Sequence, residues 1–181
     1  TLWLVTNWQL GSLTFPLLLL SIVLAWFYSA PPIRMHSRGM GEVSVTLVLG
    51  VLTPLVGYYL QTQQLTLGPI LAIIPLCFLQ FTMVVCVAIP DVEGDRSVGK
   101  RTLVVLLGRT TTAHLLILTI GLAYALVPIL VWAGLPIWVA CALAMNSPFG
   151  AWLGYLLWQG ASTHPEKWSH LNLLSIFVLM S

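Results

Sequence analysis

The sequence predicts an all-α protein, a polytopic bundle of transmembrane helices of which about five to six spans are present. The first observation is composition: 59% of the residues are hydrophobic and 7% are charged, with a mean hydropathy of +0.97. Soluble proteins contain about 25% charged residues. The second is that the apolar residues form runs of roughly 20, the length that a helix needs to cross a hydrocarbon core about 30 Å thick. We therefore expect membrane lipid as a partner, and no nucleic acid.

The apolar runs place the predicted spans in order along the chain. They lie near residues 11–30, 43–60, 68–89, 111–133 and 135–158, and a sixth run starts near residue 170. The sixth run stops at Ser181, too soon to cross a bilayer, and the chain opens without Met inside an apolar segment. We therefore expect residues 1–181 to form a single transmembrane domain that is truncated at both ends.

The charged residues fall only in alternate connections between these spans. Since two crossings return the chain to the same side, all of them share one face of the predicted bundle. The intervening connections, 61–66 and 134–136, carry no charge. Basic residues favour the cytoplasmic side, so we predict that the charged loops are cytoplasmic. These loops contain Arg34, Arg38 and Glu42 after the first span, residues 91–109 after the third, and Glu166 and Lys167 after the fifth.

Asp91 and Asp95 follow Pro90, which ends the third span because proline cannot continue a helix. Acidic residues contribute little to membrane orientation, so topology does not explain this pair. Carboxylates four residues apart on a helix share a face and repel each other unless something neutralises them. Mg²⁺ takes one or two carboxylates and completes its shell with water and substrate phosphates. The pair therefore predicts a magnesium site at the mouth of a span.

A basic set, Arg96, Lys100 and Arg101, follows the two aspartates. Carboxylates that hold Mg²⁺ next to cationic side chains suit a polyphosphate, because the metal and the cations both bind phosphate oxygens. The same charges would stabilise a departing diphosphate. This pattern favours chemistry in which an allylic diphosphate ionises.

Other classes of membrane protein also place acidic residues at a membrane surface. The aspartate pattern of a CDP-alcohol phosphotransferase begins Asp-Gly and includes Ala-Arg, and this sequence does not match it. An ion carrier or channel would hold polar residues in mid-span, where this chain is nearly all apolar. A non-catalytic membrane binding or assembly subunit stays open, and it predicts no Mg²⁺-dependent affinity for prenyl diphosphates.

Four stretches of the sequence together resemble the UbiA superfamily of intramembrane aromatic prenyltransferases. They are Tyr-Ser-Ala-Pro-Pro-Ile-Arg at 28–34, Gly-Met-Gly-Glu at 39–42, Asp-Val-Glu-Gly-Asp-Arg at 91–96 and Gly-Lys-Arg-Thr-Leu at 99–103. The resemblance implies nine helices around a central cavity that opens to the cytoplasmic side, with two aspartate-rich motifs at its mouth. This chain would then cover about the fourth to the ninth helix. Its aspartates match the second motif, and the first motif is not found in the sequence.

The resemblance also implies roles for individual residues. Asp91 and Asp95 would be catalytic and would coordinate Mg²⁺ on the prenyl diphosphate. Lys100, Arg101 and Arg96 would contact the diphosphate, while Tyr28 and Arg34 would lie in the loop that helps to close the active site. These roles predict a substrate-binding set of Lys100, Arg101, Arg96, Tyr28 and Arg34 around the metal site.

The activity implied is Mg²⁺-dependent transfer of a polyprenyl or phytyl group from its diphosphate to an aromatic quinone precursor. The motifs look most like those of the 1,4-dihydroxy-2-naphthoate prenyltransferases of menaquinone and phylloquinone synthesis. Homogentisate prenyltransferases of tocopherol and plastoquinone synthesis share the Asp-Val-Glu-Gly-Asp pattern, and chlorophyll synthase is a further alternative. We expect the isolated fragment to be inactive, because the partner motif is missing.

Overall fold

A computed structural model describes residues 11–180, and in this part of the chain every regular element is helical. Residues 1–10 and 181, which the predicted domain includes, lie outside the described residues. The helices are α1 (Thr14–Ser29), α2 (Gly41–Thr62), α3 (Leu67–Ala88), α4 (Val92–Ser97), α5 (Leu103–Leu107), α6 (Arg109–Trp132), α7 (Ile137–Trp158) and α8 (Trp168–Met180).

Four of these helices, α2, α3, α6 and α7, are long and apolar enough to cross a membrane. They confirm the prediction of an all-α polytopic bundle, and their ends lie within two residues of the predicted spans. The first predicted span, 11–30, is a shorter apolar helix of 16 residues in the described chain. At a rise of 1.5 Å per residue it is about 24 Å long, less than the thickness of the hydrocarbon core.

Prolines lie just beyond the ends of two helices and also inside helices. Pro31 lies two residues after the end of α1, and Pro90 lies two residues after the end of α3. A proline lacks the N–H that would continue the ladder, and it keeps the preceding residue out of the helical region. Pro75 lies buried inside α3 without ending it, which membrane helices tolerate because neighbouring helices and local adjustments compensate for the lost hydrogen bond.

Helix α3 lies at the centre of the bundle and packs against α2, α6 and α8. Its side chains Leu79 and Val85 are almost fully buried, together with Leu116 of α6. The hydroxyls of Thr82 in α3 and Thr119 in α6 lie 2.9 Å apart in this buried interface. Each hydroxyl also lies 2.9 Å from a backbone carbonyl of its own helix, that of Phe78 or Leu116. The contact between the two threonines is thus an additional polar link between α3 and α6.

The charged connections meet at one end of the bundle, as the predicted topology requires. Glu42, at the start of α2, accepts a 2.8 Å hydrogen bond from the backbone N–H of Leu103. The Arg109 guanidinium lies 4.8 Å from the ring centroid of Trp168, at the start of α8. At the opposite end the two uncharged connections meet, where a Cβ on Gly68 would lie 3.7 Å from Pro136.

Gly150 of α7 allows that helix to approach α6 closely. A Cβ at this position would lie 2.8 Å from Cζ of Tyr124, closer than real Cβ atoms approach their neighbours. We expect Gly150→Ala to destabilise the fold by about 1–3 kcal/mol, because the ring must shift out of a packed interface. Thermal unfolding in detergent measures this as a lower melting temperature.

Gly154→Ala is the matched control, since it lies one turn further along α7 and a Cβ there has open space within 4 Å. We expect its melting temperature to stay the same or to rise, because alanine is the better helix former. Equal melting temperatures for the two variants would show that the Tyr124 ring moves aside without loss.

Candidate functional site

A cavity of about 170 Å³ opens at the charged end of the bundle, between the ends of α1 and α3 and the start of α2. Its lining combines apolar side chains with three acidic groups and one lysine from the first two charged connections. The lining residues are Tyr28, His36, Gly41, Glu42, Val45, Val84, Val87, Ala88, Asp91, Asp95, Lys100 and Thr102.

The two aspartates lie one helical turn apart, as predicted. Asp91 is the exposed residue before α4, and its carbonyl accepts a 2.8 Å hydrogen bond from the backbone N–H of Asp95. Asp95 is buried, and its Oδ1 accepts a hydrogen bond from Nζ of Lys100 at 3.0 Å. Its Oδ2 is buried and has no hydrogen-bond partner among the described residues. An acceptor in this state is unfavourable unless a ligand satisfies it.

A glycine turn brings Lys100 back over Asp95. Gly99 has a φ of 73°, which glycine adopts without strain. The backbone N–H groups of Lys100 and Gly99 donate to the carbonyls of Asp95 (2.9 Å) and Arg96 (3.2 Å), the hydrogen-bond pattern of a Schellman helix end. The chain therefore reverses directly after α4 and places the ammonium inside the cavity.

The charge of Lys100 is stabilised by its surroundings. Partial burial lowers the pKa of Lys100, but the hydrogen bond and the charge of Asp95, with smaller contributions from Tyr28 and Glu42, raise it more. The net pKa of Lys100 lies above its ordinary value, so the ammonium remains charged at neutral pH.

Glu42 is a member of this site whose role was not predicted from the sequence. The residue is 5% exposed, and its Oε1 accepts from the N–H of Leu103, the first residue of α5. Thr102 caps the same helix by accepting from the N–H of Val105 at 3.3 Å. Oε2 of Glu42 is buried without a partner among residues 11–180. An acidic residue at the start of an apolar span was the signal that could have identified it.

Tyr28 and His36 form the wall contributed by the first charged connection. Their rings meet edge to face, with centroids 5.7 Å apart. Gly41 permits this arrangement, because a Cβ at that position would lie 3.1 Å from Cα of His36 and 3.4 Å from the Tyr28 ring. Tyr28 thus lines the cavity, while its contact with substrate stays a prediction. His36 joins it through tertiary packing that the sequence does not reveal.

Three of the predicted substrate contacts lie outside the cavity lining. Arg34, Arg96 and Arg101 are exposed. The structure therefore brings Tyr28 together with Asp91, Asp95 and Lys100, but does not bring the three arginines into the same cavity. Contact of these arginines with a diphosphate stays a prediction.

The donor set of the cavity suits a metal ion that a substrate helps to hold. In the described part of the chain no three His, Cys, Asp or Glu side chains form a group that could hold a metal by themselves. Mg²⁺ does not need such a cage, because it is bound by one or two carboxylates together with waters and substrate phosphates. The unpartnered Oδ2 of Asp95 provides an anionic oxygen of the kind that Mg²⁺ prefers.

Comparison with known proteins identifies the family of this chain. Residues 1–177 match the UbiA prenyltransferase family. The chain belongs to this family. Over 116 residues it is 27% identical to the 1,4-dihydroxy-2-naphthoate octaprenyltransferase of Bacillus subtilis, covering 64% of this chain and 37% of that protein. The UbiA resemblance inferred from the motifs is thereby confirmed. The prediction that this is an integral membrane protein is confirmed as well.

Two further UbiA proteins are similar to this chain. A 2-carboxy-1,4-naphthoquinone phytyltransferase of Synechocystis is 23% identical over 158 residues, covering 86% of this chain and 50% of the relative. The bacteriochlorophyll synthase 33 kDa chain of Rhodobacter capsulatus is 34% identical over 129 residues, covering 68% and 42%. The chain thus spans half or less of the length of the curated relatives that it matches. No solved structure matches it significantly.

Proposed function

We propose that this protein transfers a polyprenyl or phytyl group from its diphosphate to an aromatic acceptor, in a Mg²⁺-dependent reaction at the cavity of Asp91, Asp95 and Lys100. One observation carries the proposal: a buried carboxylate oxygen without a partner lies beside a charged lysine, in a cavity at the end of an apolar helix bundle. Membership of the UbiA prenyltransferase family supports the same reaction class.

Each group of the cavity has a distinct task in this reaction. Asp91 and Asp95 would hold Mg²⁺, which when bound neutralises charge on the leaving diphosphate. Lys100 donates hydrogen bonds to diphosphate oxygens, and its raised pKa keeps it protonated while it does so. The half-buried Tyr28 and His36 rings wall the cavity on the side of the first charged connection and limit the access of water to the reacting carbon.

The apolar helices below the cavity support binding of an isoprenoid chain. A second cavity of about 330 Å³ lies deeper in the bundle, lined by α3 residues Cys77, Phe78 and Phe81 together with residues of α2 and α6. Phe81 follows Cys77 by four residues, and Val84, which lines the cavity at the charged end, follows Phe81 by three. Residues at these spacings share one face of a helix, so the same face of α3 lines both cavities. Burial of each CH₂ group contributes about 0.8 kcal/mol, so a long chain needs no specific polar contact there.

For the acceptor we propose 1,4-dihydroxy-2-naphthoate. Two of the relatives carry a naphthalene-type compound in their names, and one of these alignments covers 86% of this chain. A tetrapyrrole acceptor is the second candidate, because the bacteriochlorophyll synthase chain has the higher identity of 34%. We also propose that the charged end of the bundle faces the cytoplasm, on the basis of its basic residues.

Binding of a prenyl diphosphate with and without EDTA tests the proposal. We expect native-length protein in detergent micelles to bind geranylgeranyl diphosphate in Mg²⁺ and to lose this affinity in EDTA, because the carboxylates then repel the diphosphate. Adding 1,4-dihydroxy-2-naphthoate or chlorophyllide to the Mg²⁺ sample distinguishes the two acceptors by their products. Equal binding in EDTA would favour a non-catalytic binding or assembly subunit instead.

A further inference from the structure

A groove of about 670 Å³ lies between α7 and α8, on the outside of the bundle. Seven of its nine lining residues are apolar, and two of these, Trp152 and Leu173, are 56% and 66% exposed. Its two polar lining residues are Lys167, from the third charged connection, and His170, from the first turn of α8. The groove shares no lining residue with the cavity of Asp95 and is therefore a separate feature of the molecule.

The groove is polar at one end only. Lys167 directly precedes α8, and His170 follows it by three residues, so both lie at the charged end of the bundle. At the other end the rings of Phe149 and Phe177 meet edge to face, with centroids 4.8 Å apart. The ten residues from Lys167 to Phe177 rise by about 15 Å along the helix axis. This is half the thickness of a hydrocarbon core of about 30 Å, so the groove has the length of one leaflet of the membrane.

The charge of Lys167 is available to a ligand. Neither of the two ion pairs that the described residues form involves Lys167 or His170. Arg109, by contrast, lies 3.5 Å from a carboxylate oxygen of Glu93 and stacks on the ring of Trp168. Lys167 is also half-buried, so the stem of its side chain lies along the apolar surface while the ammonium remains at the charged end. The groove thus combines an apolar wall with a cation that has no acidic partner in the described chain.

We propose that this groove binds one anionic phospholipid from the leaflet at the charged end of the bundle. Its phosphate would contact Lys167 and His170, and one acyl chain would lie between α7 and α8. An ammonium makes charge-assisted hydrogen bonds to phosphate oxygens, and an imidazole ring provides a further N–H donor. Basic pockets between membrane helices bind the head groups of anionic lipids in this way. Burial of the acyl chain favours every phospholipid equally, so the preference for an anionic one comes from Lys167.

Lys167→Gln tests the head-group contact. The native-length protein is purified in detergent micelles, and native mass spectrometry measures its affinity for dioleoyl phosphatidylglycerol and dioleoyl phosphatidylcholine. We expect the unmodified protein to bind the anionic lipid about tenfold more tightly, the range of a hydrogen bond to a charged group. Lys167→Gln should lose this preference. An unmodified protein without the preference, or a variant that retains it, would overturn the proposal.

Two control variants change a charge at the same end of the bundle but outside the groove. Arg38→Gln removes a positive charge from an exposed position in the first charged connection. Glu166→Gln removes the negative charge next to Lys167, and Glu166 is exposed and does not line the groove. Both should keep the preference for phosphatidylglycerol. A loss in Arg38→Gln equal to that in Lys167→Gln would assign the preference to overall charge and overturn the proposed site.

Leu173→Trp tests the acyl-chain contact by filling the groove with a larger side chain. Because Leu173 is largely exposed, the substitution leaves the core unchanged, and we expect weaker binding of both lipids. Leu118→Trp is the matched control, since Leu118 of α6 is 58% exposed and lies outside the groove. Unchanged lipid affinity in Leu173→Trp would overturn the proposal, because another part of the native-length protein would then cover the groove. Displacement of phosphatidylglycerol by geranylgeranyl diphosphate in EDTA would overturn it as well, since the groove would then hold an isoprenoid diphosphate.

Discussion

Replacement of Asp95 by asparagine is expected to reduce the rate of prenyl transfer by about a thousandfold. The substitution retains an oxygen that accepts from Lys100, but it replaces the second, unpartnered oxygen with an NH₂ group and removes the charge. Losses of about 10²–10³ in rate are typical when one group that stabilises transition-state charge is removed. Transfer of radiolabelled prenyl groups in membranes containing the native-length protein measures the effect.

Asp91→Asn is expected to cause a similar loss, because the family resemblance assigns both aspartates to the metal. Asp91 is exposed where Asp95 is buried, so the two variants compare a carboxylate open to solvent with one enclosed by the protein. Glu166→Gln should leave transfer unchanged. Near-normal turnover in Asp95→Asn, with normal membrane insertion, would refute the assigned reaction.

Replacement of Lys100 by methionine is expected to weaken binding of the prenyl diphosphate by about 10–100-fold. A hydrogen bond to a charged group contributes about 1.5–3 kcal/mol, and each 1.4 kcal/mol changes affinity tenfold. The matched variant is Arg101→Met, which removes a positive charge from the next residue. Arg101 is exposed and lies outside the cavity lining, so we expect a smaller effect. Isothermal titration in Mg²⁺ measures both affinities, and equal losses would contradict the cavity as the diphosphate site.

The raised pKa of Lys100 adds a pH signature to the same variant. A group whose pKa is raised by folding stabilises the fold fully below its unfolded pKa, about 10.4 for lysine. That contribution is lost only as the pH rises through the higher folded value. The difference in melting temperature between the unmodified protein and Lys100→Met should therefore stay constant between about pH 6 and pH 9 and shrink in more alkaline solution.

Local sequence signals predict most of the fold. Runs of about 20 apolar residues predict α2, α3, α6 and α7 because the bilayer sets their length. Prolines predict where α1 and α3 end, since they cannot continue the hydrogen-bond ladder. The short turns near the cavity are less predictable. Helices α4 and α5 have six and five residues, and their ends depend on Gly99 and Thr102 rather than on an apolar period.

The residues of the candidate site also differ in whether local sequence is sufficient to predict them. Asp91, Asp95 and Lys100 are close in sequence, and a helical turn followed by a glycine is sufficient to bring them together. Glu42 reaches the same cavity through a contact that spans 61 positions, and such contacts require the tertiary structure. The sequence also predicts the same role for Lys100 and Arg101, because it shows that both are cations but not which one the turn directs inward.

Because all charged connections meet at one end, the charge of this bundle is distributed asymmetrically between its two ends. Its seven basic and five acidic residues all belong to three connections, and the connections at the opposite end are uncharged. A polyanion in the aqueous phase on the uncharged side encounters no fixed charge of this chain, and the apolar core bars its passage. We therefore expect an anionic ligand of the cavity to arrive from the compartment that the charged end of the bundle faces.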